Sequence, residues 1–495
     1  MVRYVSTRNR NAKLKAHEAI IKGLADDGGL YTPIMEQLHV DPSELIDCTY
    51  QQQAEKIIGT LFDDYSEEEI RNCAEGAYDS KFDDPGIVPI KQFHDGWLME
   101  LWHGPTSAFK DIALTILPRL LTAAYQKEDR DDTVAILTAT SGDTGKAALS
   151  GFADVPDTYI TVFYPEIGVS DTQKLQMRTS TGNNVDVIAV KGNFDDCQRM
   201  VKEAAASKLV RDACHHVTIS SANSINIGRL VPQAVYYYHA YCELIKQGAI
   251  KCGDEVNFIV PTGNFGDILA GYLAYMLGLP IHKLICASNK NNVLTDFIHT
   301  GVYDAKRPFY NTMSPSMDIL ISSNLERLLF LLSDGDDAYV SSLMKQLNEE
   351  GRYEINDELK KRIDERFAAY WTDENDCSEA IRNMYEQDHI LIDPHTSVAV
   401  HAMREYQKES GDERPCIVLS TASPYKFSRD VYRSLTGKDE ADDYAAMRKL
   451  NEKTGVTIPY NLSSLHELPI RFDRVIDPKD GMKVIAAKME ELSHD

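Results

Sequence analysis

From Gly96 onward, short apolar runs alternate with amphipathic helical segments, and this alternation restricts the possible folds more than any other feature. Runs typical of buried strands are WLMELW (97–102), TVAILT (133–138), TYITVFY (158–164), VDVIAV (185–190), EVNFIV (255–260) and CIVLS (416–420). Helical patterns separate them, and one pattern follows Asn193, a residue type favoured as a helix N-cap. Strands spaced by helices predict parallel β-α-β units in an α/β fold.

The flanking regions have a different texture. Residues 320–390 contain the helical patterns ERLLFLL, SLMKQLNEE and DELKKRIDERFAAYW with few strand candidates, which predicts a helical insertion. Residues 1–90 mix helical patches with turns, and the last 60 residues or so are charged and turn-rich. We therefore predict an N-terminal domain (1–90), a smaller α/β part (91–230), a larger α/β part (231–430) containing the insertion, and a C-terminal extension (431–495).

The charge balance is strongly acidic, with 52 lysines and arginines against 76 aspartates and glutamates and a net charge of −24. This field disfavours nucleic acid and anionic membranes as partners, so an anionic ligand needs a local positive site. The nine cysteines form no CxxC pair, which argues against disulfides or a metal site and favours a reducing compartment. The N-terminus is polar, and no apolar stretch reaches about 18–20 residues, so we expect a cytoplasmic protein.

The first of four strand–loop–helix junctions with unusual residues is HGPTSAFKD (103–111). Thr106 or Ser107 is suited to cap a helix, which would place Lys110 in its first turn beside Phe109 and Ile112. The positive helix end and the apolar surroundings both disfavour an ammonium group, and a neutral amine is what a Schiff-base lysine needs. An ordinary lysine on an amphipathic helix is the alternative interpretation.

The other three junctions are rich in small residues. TATSGDTGKAAL (138–149) departs from the P-loop pattern, but Ser141 and Thr144 are suited to bind a carboxylate. In PTGNFGD (261–267), the glycines at 263 and 266 favour positive φ and expose N–H groups at a helix start, which predicts a site for a single phosphate. In LSTASPYKF (419–427), Thr421 offers a hydroxyl. Each junction alone also fits a plain turn.

Taken in order, HGPTSAFKD, TSGDTG, PTGNFGD and STASPYKF resemble the motifs of threonine synthases of the longer microbial and fungal type. GLADDGGLYTP (23–33), SSNLERLLF (322–330) and DPHTSVA (393–399) resemble further segments of that family, so the resemblance runs from about residue 4 to about 430. It implies a fold type II, tryptophan-synthase-β-like enzyme with pyridoxal 5′-phosphate, built from two open, twisted, mainly parallel sheets flanked by helices. The implied reaction converts O-phospho-L-homoserine and water to L-threonine and phosphate.

The resemblance also implies roles for individual residues. Lys110 would hold the cofactor as a Schiff base, and Thr421 would meet the pyridine nitrogen. The cofactor phosphate would bind the loop formed by Gly263, Asn264, Phe265, Gly266 and Asp267. Candidates for binding the substrate are Ser141, Thr144, Asn226 and Arg229.

One position departs from the wider fold class. Many relatives have an asparagine whose amide meets the 3′ oxygen of the cofactor ring, whereas this chain has Asp143. An ionised aspartate would repel a phenolate, so Asn223 or Asn226 is a possible replacement. Cations that motif proximity suggests for the substrate phosphate are His103, Lys146, Lys174, Arg229 and Lys426, although each alone also fits a solvated surface cation.

Two alternatives remain open from the sequence. The first is another fold type II lyase, such as a threonine dehydratase, because substrate choice depends on a few side chains. The second is a non-catalytic nucleotide- or metabolite-binding protein on the same scaffold. In the preferred interpretation the only partner expected is the small-molecule substrate, with no obligatory protein partner.

Overall fold

The computed structural model describes residues 1–130, 132–140, 142–167 and 169–493 of the 495-residue chain. The N-terminal part consists of strands β1 (Tyr4–Ser6), β2 (Asn9–Leu14) and β3 (Tyr31–Pro33) and helices α1 (Ala16–Lys22), α2 (Tyr50–Leu61) and α3 (Glu67–Ala77). Its strands form an antiparallel sheet in the order β2-β1-β3. Helices α2 and α3 begin with capping boxes at Thr49 and Ser66, as the sequence pattern favours.

The rest of the chain alternates strands and helices. The strands are β4 (Ile90–Phe93), β5 (Gly96–Glu100), β6 (Thr133–Ala139), β7 (Thr158–Pro165), β8 (Val185–Val190), β9 (Val217–Ser220), β10 (Val256–Pro261), β11 (Ile281–Ser288), β12 (Val302–Asp304), β13 (Arg352–Glu354), β14 (Phe367–Trp371), β15 (Cys416–Ser420) and β16 (Val475–Ile476). The helices are α4 (Lys110–Leu114), α5 (Leu117–Lys127), α6 (Asp143–Phe152), α7 (Asp171–Arg178), α8 (Phe194–Ala206), α9 (Lys208–Ala213), α10 (Ile227–Leu230), α11 (Ala234–Lys246), α12 (Gly266–Met276), α13 (Val293–Thr300), α14 (Leu325–Leu332), α15 (Asp337–Glu350), α16 (Asp357–Arg366), α17 (Glu374–Asp388), α18 (Pro394–Ser410), α19 (Ser428–Thr436), α20 (Asp443–Thr454), α21 (Tyr460–Ser463) and α22 (Gly481–Leu492).

Two large sheets form the core of the molecule. The larger has the order β14-β11-β10-β15-β5-β4, and all neighbours are parallel except β4, which runs antiparallel to β5. Every residue of β10 and β15 is buried, as expected for central parallel strands covered on both faces. The smaller sheet is wholly parallel in the order β16-β8-β7-β6-β9. The predicted α/β class with two mainly parallel sheets is confirmed, as is the N-cap at Asn193, whose side chain accepts from the backbone N–H of Asp196.

The order of the larger sheet brings three of the four junctions together. Strands β10, β15 and β5 are neighbours, so the loops that follow their carboxyl ends meet at one edge. The loops after β5 and β15 are joined directly, because the N–H of Phe109 donates to the carbonyl of Thr421 at 2.8 Å and that of Ser423 donates to Ser107 at 3.1 Å. The fourth junction follows β6 of the smaller sheet, and a cavity lies between them.

The helical insertion is only partly as predicted. Helices α14 to α17 lie within it, but the prediction of one helix over DELKKRIDERFAAYW is wrong. Helix α16 ends at Arg366, and Phe367–Trp371 forms β14, the edge strand that pairs in parallel with β11. This pairing buries Phe367 and Ala369, an outcome that the local helical pattern does not reveal.

The two sheets do not follow the predicted domain boundaries. Strand β5 lies just before Lys110 in the smaller predicted part but belongs to the larger sheet, where it pairs with β15. Strand β16, from the predicted C-terminal extension, pairs with β8 at the edge of the smaller sheet. The sheets cross these boundaries because both strands pair with neighbours that are distant in sequence. The boundaries at 91, 231 and 431 stay a prediction.

Two further features concern the whole chain. Within the described residues, no helix combines the length and apolar character needed to cross a membrane. All nine cysteines carry free thiols, and six of them are buried.

Candidate active site

A cavity of about 1350 Å³ lies where the four junctions meet. Its walls include Lys110, the loop after β10 and Thr421 from the larger sheet, and Asp143 and Thr144 from the smaller sheet. The N-terminal part and the insertion also contribute residues, among them Arg8 and Met344. The cavity therefore brings together candidate catalytic and binding residues that are more than 300 positions apart in the sequence, from Lys110 to Thr421.

Lys110 is the first residue of α4, and its side chain is 13% exposed. The expectation that Thr106 or Ser107 caps this helix is wrong, because the hydroxyl of Thr106 instead donates to the carboxylate of Asp111 at 2.6 Å. Burial lowers the pKa of Lys110, the carboxylate of Asp143 opposes that shift, and the charge of Arg229 adds to it. Burial and the charge of Arg229 thus both favour the neutral amine relative to an exposed lysine.

Asp143 begins helix α6, and two lysines lie close to its carboxylate. The expected repulsion between an ionised Asp143 and the 3′ oxygen of the cofactor stays a prediction. Oδ1 of Asp143 lies 2.6 Å from Nζ of Lys426, which is fully buried, and its Oδ2 lies 3.7 Å from Nζ of Lys110. Gln173 donates to Oδ1 at 2.8 Å. Burial alone would raise the pKa of Asp143, but the charges of Lys426 and Lys110 outweigh it and hold the pKa well below its usual range. Gly142 precedes it with φ of 141°, a conformation that favours glycine.

Two carbonyls of the loop after β10 accept hydrogen bonds from side chains of the insertion. The hydroxyl of Ser322 donates to the carbonyl of Gly263 at 2.8 Å, and Asn324 donates to that of Asn264 at 3.1 Å. The first N–H groups of an α-helix have no partner within the helix, so those at the start of α12 are available to an anion. The expected positive φ occurs at Phe265 (60°) and not at either glycine.

The two glycines of this loop differ in what surrounds them. A Cβ atom on Gly263 would lie 2.9 Å from the carbonyl oxygen of Ser316, which is closer than such contacts allow. A Cβ on Gly266 would meet the amide of Asn324 at 3.4 Å, an ordinary contact. The steric argument for glycine therefore applies to Gly263 alone.

Asp267, the last residue of the loop motif, is a buried carboxyl group. Its Oδ1 accepts from the hydroxyls of Tyr236 and Tyr237 at 2.5 and 3.1 Å, and its Oδ2 has no partner among the described residues. Burial raises the pKa of Asp267 to about 6, although the two tyrosines oppose the shift. A carboxyl group that is easily protonated is compatible with an anion bound nearby.

The substrate candidates separate into two groups. Thr144 and Arg229 line the cavity, as does Asn223, whereas Ser141 lies outside the described residues. The interpretation of Asn226 as a ligand-binding residue is wrong, because its amide caps α10 through the N–H of Gly228 and donates to the carbonyl of Ile20. Both ends of its amide are thus committed to the fold.

Arg229 is the candidate cation that faces the cavity. It is 3% exposed, donates from Nη1 to the carbonyl of Ala222 at 2.9 Å, and has no hydrogen-bond partner for Nε among the described residues. Burial lowers the pKa of Arg229 to about 10, so it stays charged at neutral pH. A buried guanidinium with a spare donor fits an anionic ligand.

The other predicted cations do not line the cavity. His103 is paired with Asp83 and Glu100 at 2.5 and 2.9 Å, and these carboxylates raise its pKa to about 9 despite its burial. Lys146 donates to Ser180, and burial lowers the pKa of Lys146 to about 8. Lys426 lies behind Asp143, and Lys174 is half-buried on α7. We therefore do not assign any of these four residues to the substrate phosphate.

His395 is a cavity residue that the sequence analysis did not select. Its Nδ1 lies 2.6 Å from Asp393, and its Nε2 accepts the backbone N–H of Ser316 at 3.2 Å. The hydroxyl of Ser316 in turn donates to Oδ2 of Asp143 at 3.4 Å. The motif DPHTSVA was the available signal, because it places an aspartate two residues before a histidine at a helix start.

Arg327, from the motif SSNLERLLF, was also missed. It is fully buried and donates to the carbonyls of Tyr31, Ser224 and Ile225 and to the side chain of Asn324. Since Asn324 holds the loop after β10, Arg327 joins that loop to the N-terminal part and to a wall of the cavity. Its role is to position neighbouring segments.

Comparison with family models identifies the class of protein to which this chain belongs. Residues 91–421, which contain the first three junctions and the fourth as far as Thr421, match the family model of pyridoxal-phosphate dependent enzymes. Residues 3–78 match the threonine synthase N terminus and residues 396–485 the threonine synthase C-terminal model. The chain belongs to the threonine synthase family, as its motifs led us to expect.

Individual relatives agree with this assignment. The threonine synthase of Pseudomonas aeruginosa is 36% identical, over 89% of this chain and 92% of its own. The crystal structure of the pyridoxal-phosphate-bound threonine synthase from Brucella melitensis is 33% identical, with a TM-score of 0.87 and full coverage of both chains. Threonine synthase-like 1 of Pongo abelii is 37% identical over 94% of this chain, which spans 63% of that longer relative.

Proposed function

We propose that this protein is a threonine synthase that uses pyridoxal 5′-phosphate to convert O-phospho-L-homoserine and water to L-threonine and phosphate, the last step of threonine biosynthesis. The observation that carries the proposal is that Lys110, the loop from Gly263 to Asp267, and Thr421 line a single cavity. The free thiols of all nine cysteines support the cytoplasm as its location.

The residues present fit this cofactor. The amine of Lys110 has a lowered pKa and lies in the cavity, which suits covalent attachment to an aldehyde. The start of α12, with the carbonyls of Gly263 and Asn264 already bound, suits the phosphate. Thr421 is 6% exposed and anchored through its carbonyl, so its hydroxyl suits a fixed ring nitrogen.

The chain's own residues then perform the proton transfers and the binding. When bound, the cofactor supplies an electron sink for negative charge formed at the substrate carbons. The amine of Lys110 would remove the proton from the substrate Cα and would then move protons at Cβ. Asp143 lies 3.7 Å from that amine and holds it in place.

Arg229 and Thr144 are the residues we assign to the anionic groups of the substrate. Arg229 supplies a buried positive charge whose Nε has no partner among the described residues, and Thr144 supplies a hydroxyl from the opposite sheet. The global charge of −24 makes such a local cation necessary. Phosphate is also a far better leaving group than hydroxide, so phosphohomoserine is expected to react in preference to homoserine.

The test is turnover of O-phospho-L-homoserine by the purified protein, with phosphate, threonine and ammonia all measured. We expect equal release of phosphate and threonine, little ammonia, and a visible absorbance band that borohydride removes. Lys110→Ala should lose both the band and turnover while keeping its fold. The matched control is Lys127→Ala, at a lysine that pairs with Glu69 away from the cavity.

Each other outcome has a distinct meaning. Ammonia release from L-threonine, with no phosphate release from O-phospho-L-homoserine, would indicate a dehydratase of the same fold. A protein without a visible band would indicate a non-catalytic binding function. Appreciable threonine formation by Lys110→Ala would remove Lys110 from its role.

A further inference from the structure

The Lys110 amine is the first of three charged groups that lie in a row. Nζ of Lys110 lies 3.7 Å from Oδ2 of Asp143, and Oδ1 of Asp143 lies 2.6 Å from Nζ of Lys426. The three side chains come from the starts of α4 and α6 and from the segment before α19. One carboxylate therefore serves two amines.

Lys426 is a conspicuous member of this row because none of its side chain is exposed. Its amine has two partners among the described residues, Asp143 and the carbonyl of Thr106 at 3.0 Å. A buried charge is costly unless it is paired and hydrogen-bonded, so Asp143 and Lys426 stabilise each other's ionised forms. The pair is fixed in place, whereas Lys110 faces the cavity.

We propose that Asp143 and Lys426 form a fixed charge pair that positions the Lys110 amine and sets its proton affinity, with Asp143 raising that affinity and Lys426 lowering it. The inference rests on the proposed function only in taking Lys110 as the lysine that binds the cofactor. Both members of the pair act through Lys110 and are positioning residues.

The opposing effects of Asp143 and Lys426 matter because the Lys110 amine needs two protonation states. It must be neutral to attack an aldehyde or to accept a proton, and protonated to deliver one. The other charged groups that face it are Arg229 on α10, which lowers its proton affinity, and Asp267 on α12, which raises it. Asp143 is the nearest of the carboxylates, since its ion pair with Lys110 is within 4 Å.

The pair makes predictions of opposite sign, which damage to the fold alone would not produce. In Asp143→Asn the amine loses its nearest anion, so the pH midpoint of its protonation should fall by about 1–3 pH units. In Lys426→Met a neighbouring cation is removed and Asp143 is left to Lys110 alone, so the midpoint should rise. Lys426→Arg keeps the charge and should restore the original midpoint, and the Asp143→Asn, Lys426→Met double variant should lie between the two single variants.

The measurement is made on the full chain stripped of cofactor. A trace of acetic anhydride is applied across a pH series, and acetylation of the Lys110 peptide is followed by mass spectrometry. The side chain of Lys110 lines the cavity and is 13% exposed, so a small reagent reaches it. The matched control is Asp412→Asn, which makes the same carboxylate-to-amide change at a residue that does not line the cavity, and it should leave the midpoint unchanged. The side chain of Asp412 is 7% exposed and pairs with Arg414 at 3.0 Å.

The outcomes separate this inference from the proposed function. An unchanged midpoint in both Asp143→Asn and Lys426→Met would overturn the inference. If one of these variants does not fold, an unchanged midpoint in the other would overturn it. The pair would then only support the loop that carries Thr106. Failure of the unmodified protein to form a visible band with added cofactor would instead contradict the proposed function, whatever the midpoints are.

Discussion

Asn324 holds the carbonyl oxygen of Asn264 twice, through its backbone N–H and through its side-chain Nδ2, each at 3.1 Å. The same side chain accepts from Arg327 at 2.5 Å and donates to Ser224 at 3.2 Å. A residue outside the loop after β10 therefore fixes the direction of a peptide group within it. This arrangement restrains the loop immediately before α12.

The first prediction concerns this residue. Asn324→Ala removes one hydrogen-bond partner from the Asn264 carbonyl and one from Arg327. We therefore expect the free energy that stabilises the conformation of the loop after β10 to fall by about 1–3 kcal/mol. Cofactor affinity, measured by titrating stripped protein with pyridoxal 5′-phosphate, should fall by about 5- to 100-fold. Asn383→Ala, at an exposed asparagine that contacts Glu379, is the control and should bind normally. Full affinity in Asn324→Ala would mean that the backbone bond alone suffices.

The second prediction separates the two glycines of the loop. Gly263→Val places a side chain against the carbonyl of Ser316, which cannot move without shifting the chain, whereas Gly266→Ala meets only the flexible amide of Asn324. Overpacking of this kind typically costs about 1–3 kcal/mol. Cofactor content after purification should therefore drop sharply for Gly263→Val and little for Gly266→Ala. The reverse order would contradict the steric argument.

The third prediction concerns Thr421. A hydroxyl carries no charge to stabilise a protonated ring nitrogen, whereas a carboxylate does, so Thr421→Asp should raise that nitrogen's pKa and alter the cofactor's absorbance spectrum. Threonine synthesis should fall by more than cofactor binding does. Thr421→Ser keeps the hydroxyl and should remain active. An aspartate variant with an unaltered spectrum and rate would place Thr421 outside the site.

The fourth prediction is a pH dependence of stability at His103. Its ion pairs raise the folded-state pKa to about 9 from an ordinary 6.5, so their stabilisation is fully present below about pH 6.5 and is lost as the pH rises through about 9. Replacing His103 by Gln should cost about 1–3 kcal/mol at pH 6 and much less at pH 10. The thermal midpoints of the two proteins, measured across that range, should converge at high pH. A constant difference would show that packing, not charge, accounts for the effect.

Much of the fold and of the candidate site follows from local sequence. The six apolar runs lie at strands β5, β6, β7, β8, β10 and β15, because a run of four to eight apolar residues between breakers can bury itself in few other ways. Lys110, the loop after β10, and Thr421 were selected because they follow such strands. Parallel strands direct their carboxyl ends to one edge, so local pattern and general topology together predicted where these residues meet.

Other features have no local signature. FAAYW continues a helical pattern, and its pairing with β11 is what makes it a strand. Asn226 resembles a ligand-binding amide in sequence, but its contacts with Ile20 and Gly228 commit it to the fold. His395 lines the cavity and contacts Ser316, which is 79 positions away in the sequence.

The charge of Asp143 shows most clearly which features the sequence determines and which ones depend on the tertiary structure. The sequence by itself determined the strand–loop–helix order, the family and the residue types at each junction, because these depend on patterns over a few neighbouring residues. The sequence does not indicate which residue pairs with Asp143, because Lys426 lies in a different motif far along the chain. Only the tertiary structure, by removing both side chains from water and placing them 2.6 Å apart, decided that the two charges stabilise one another. Desolvation and long-range pairing depend on the whole folded chain, and no short segment specifies them.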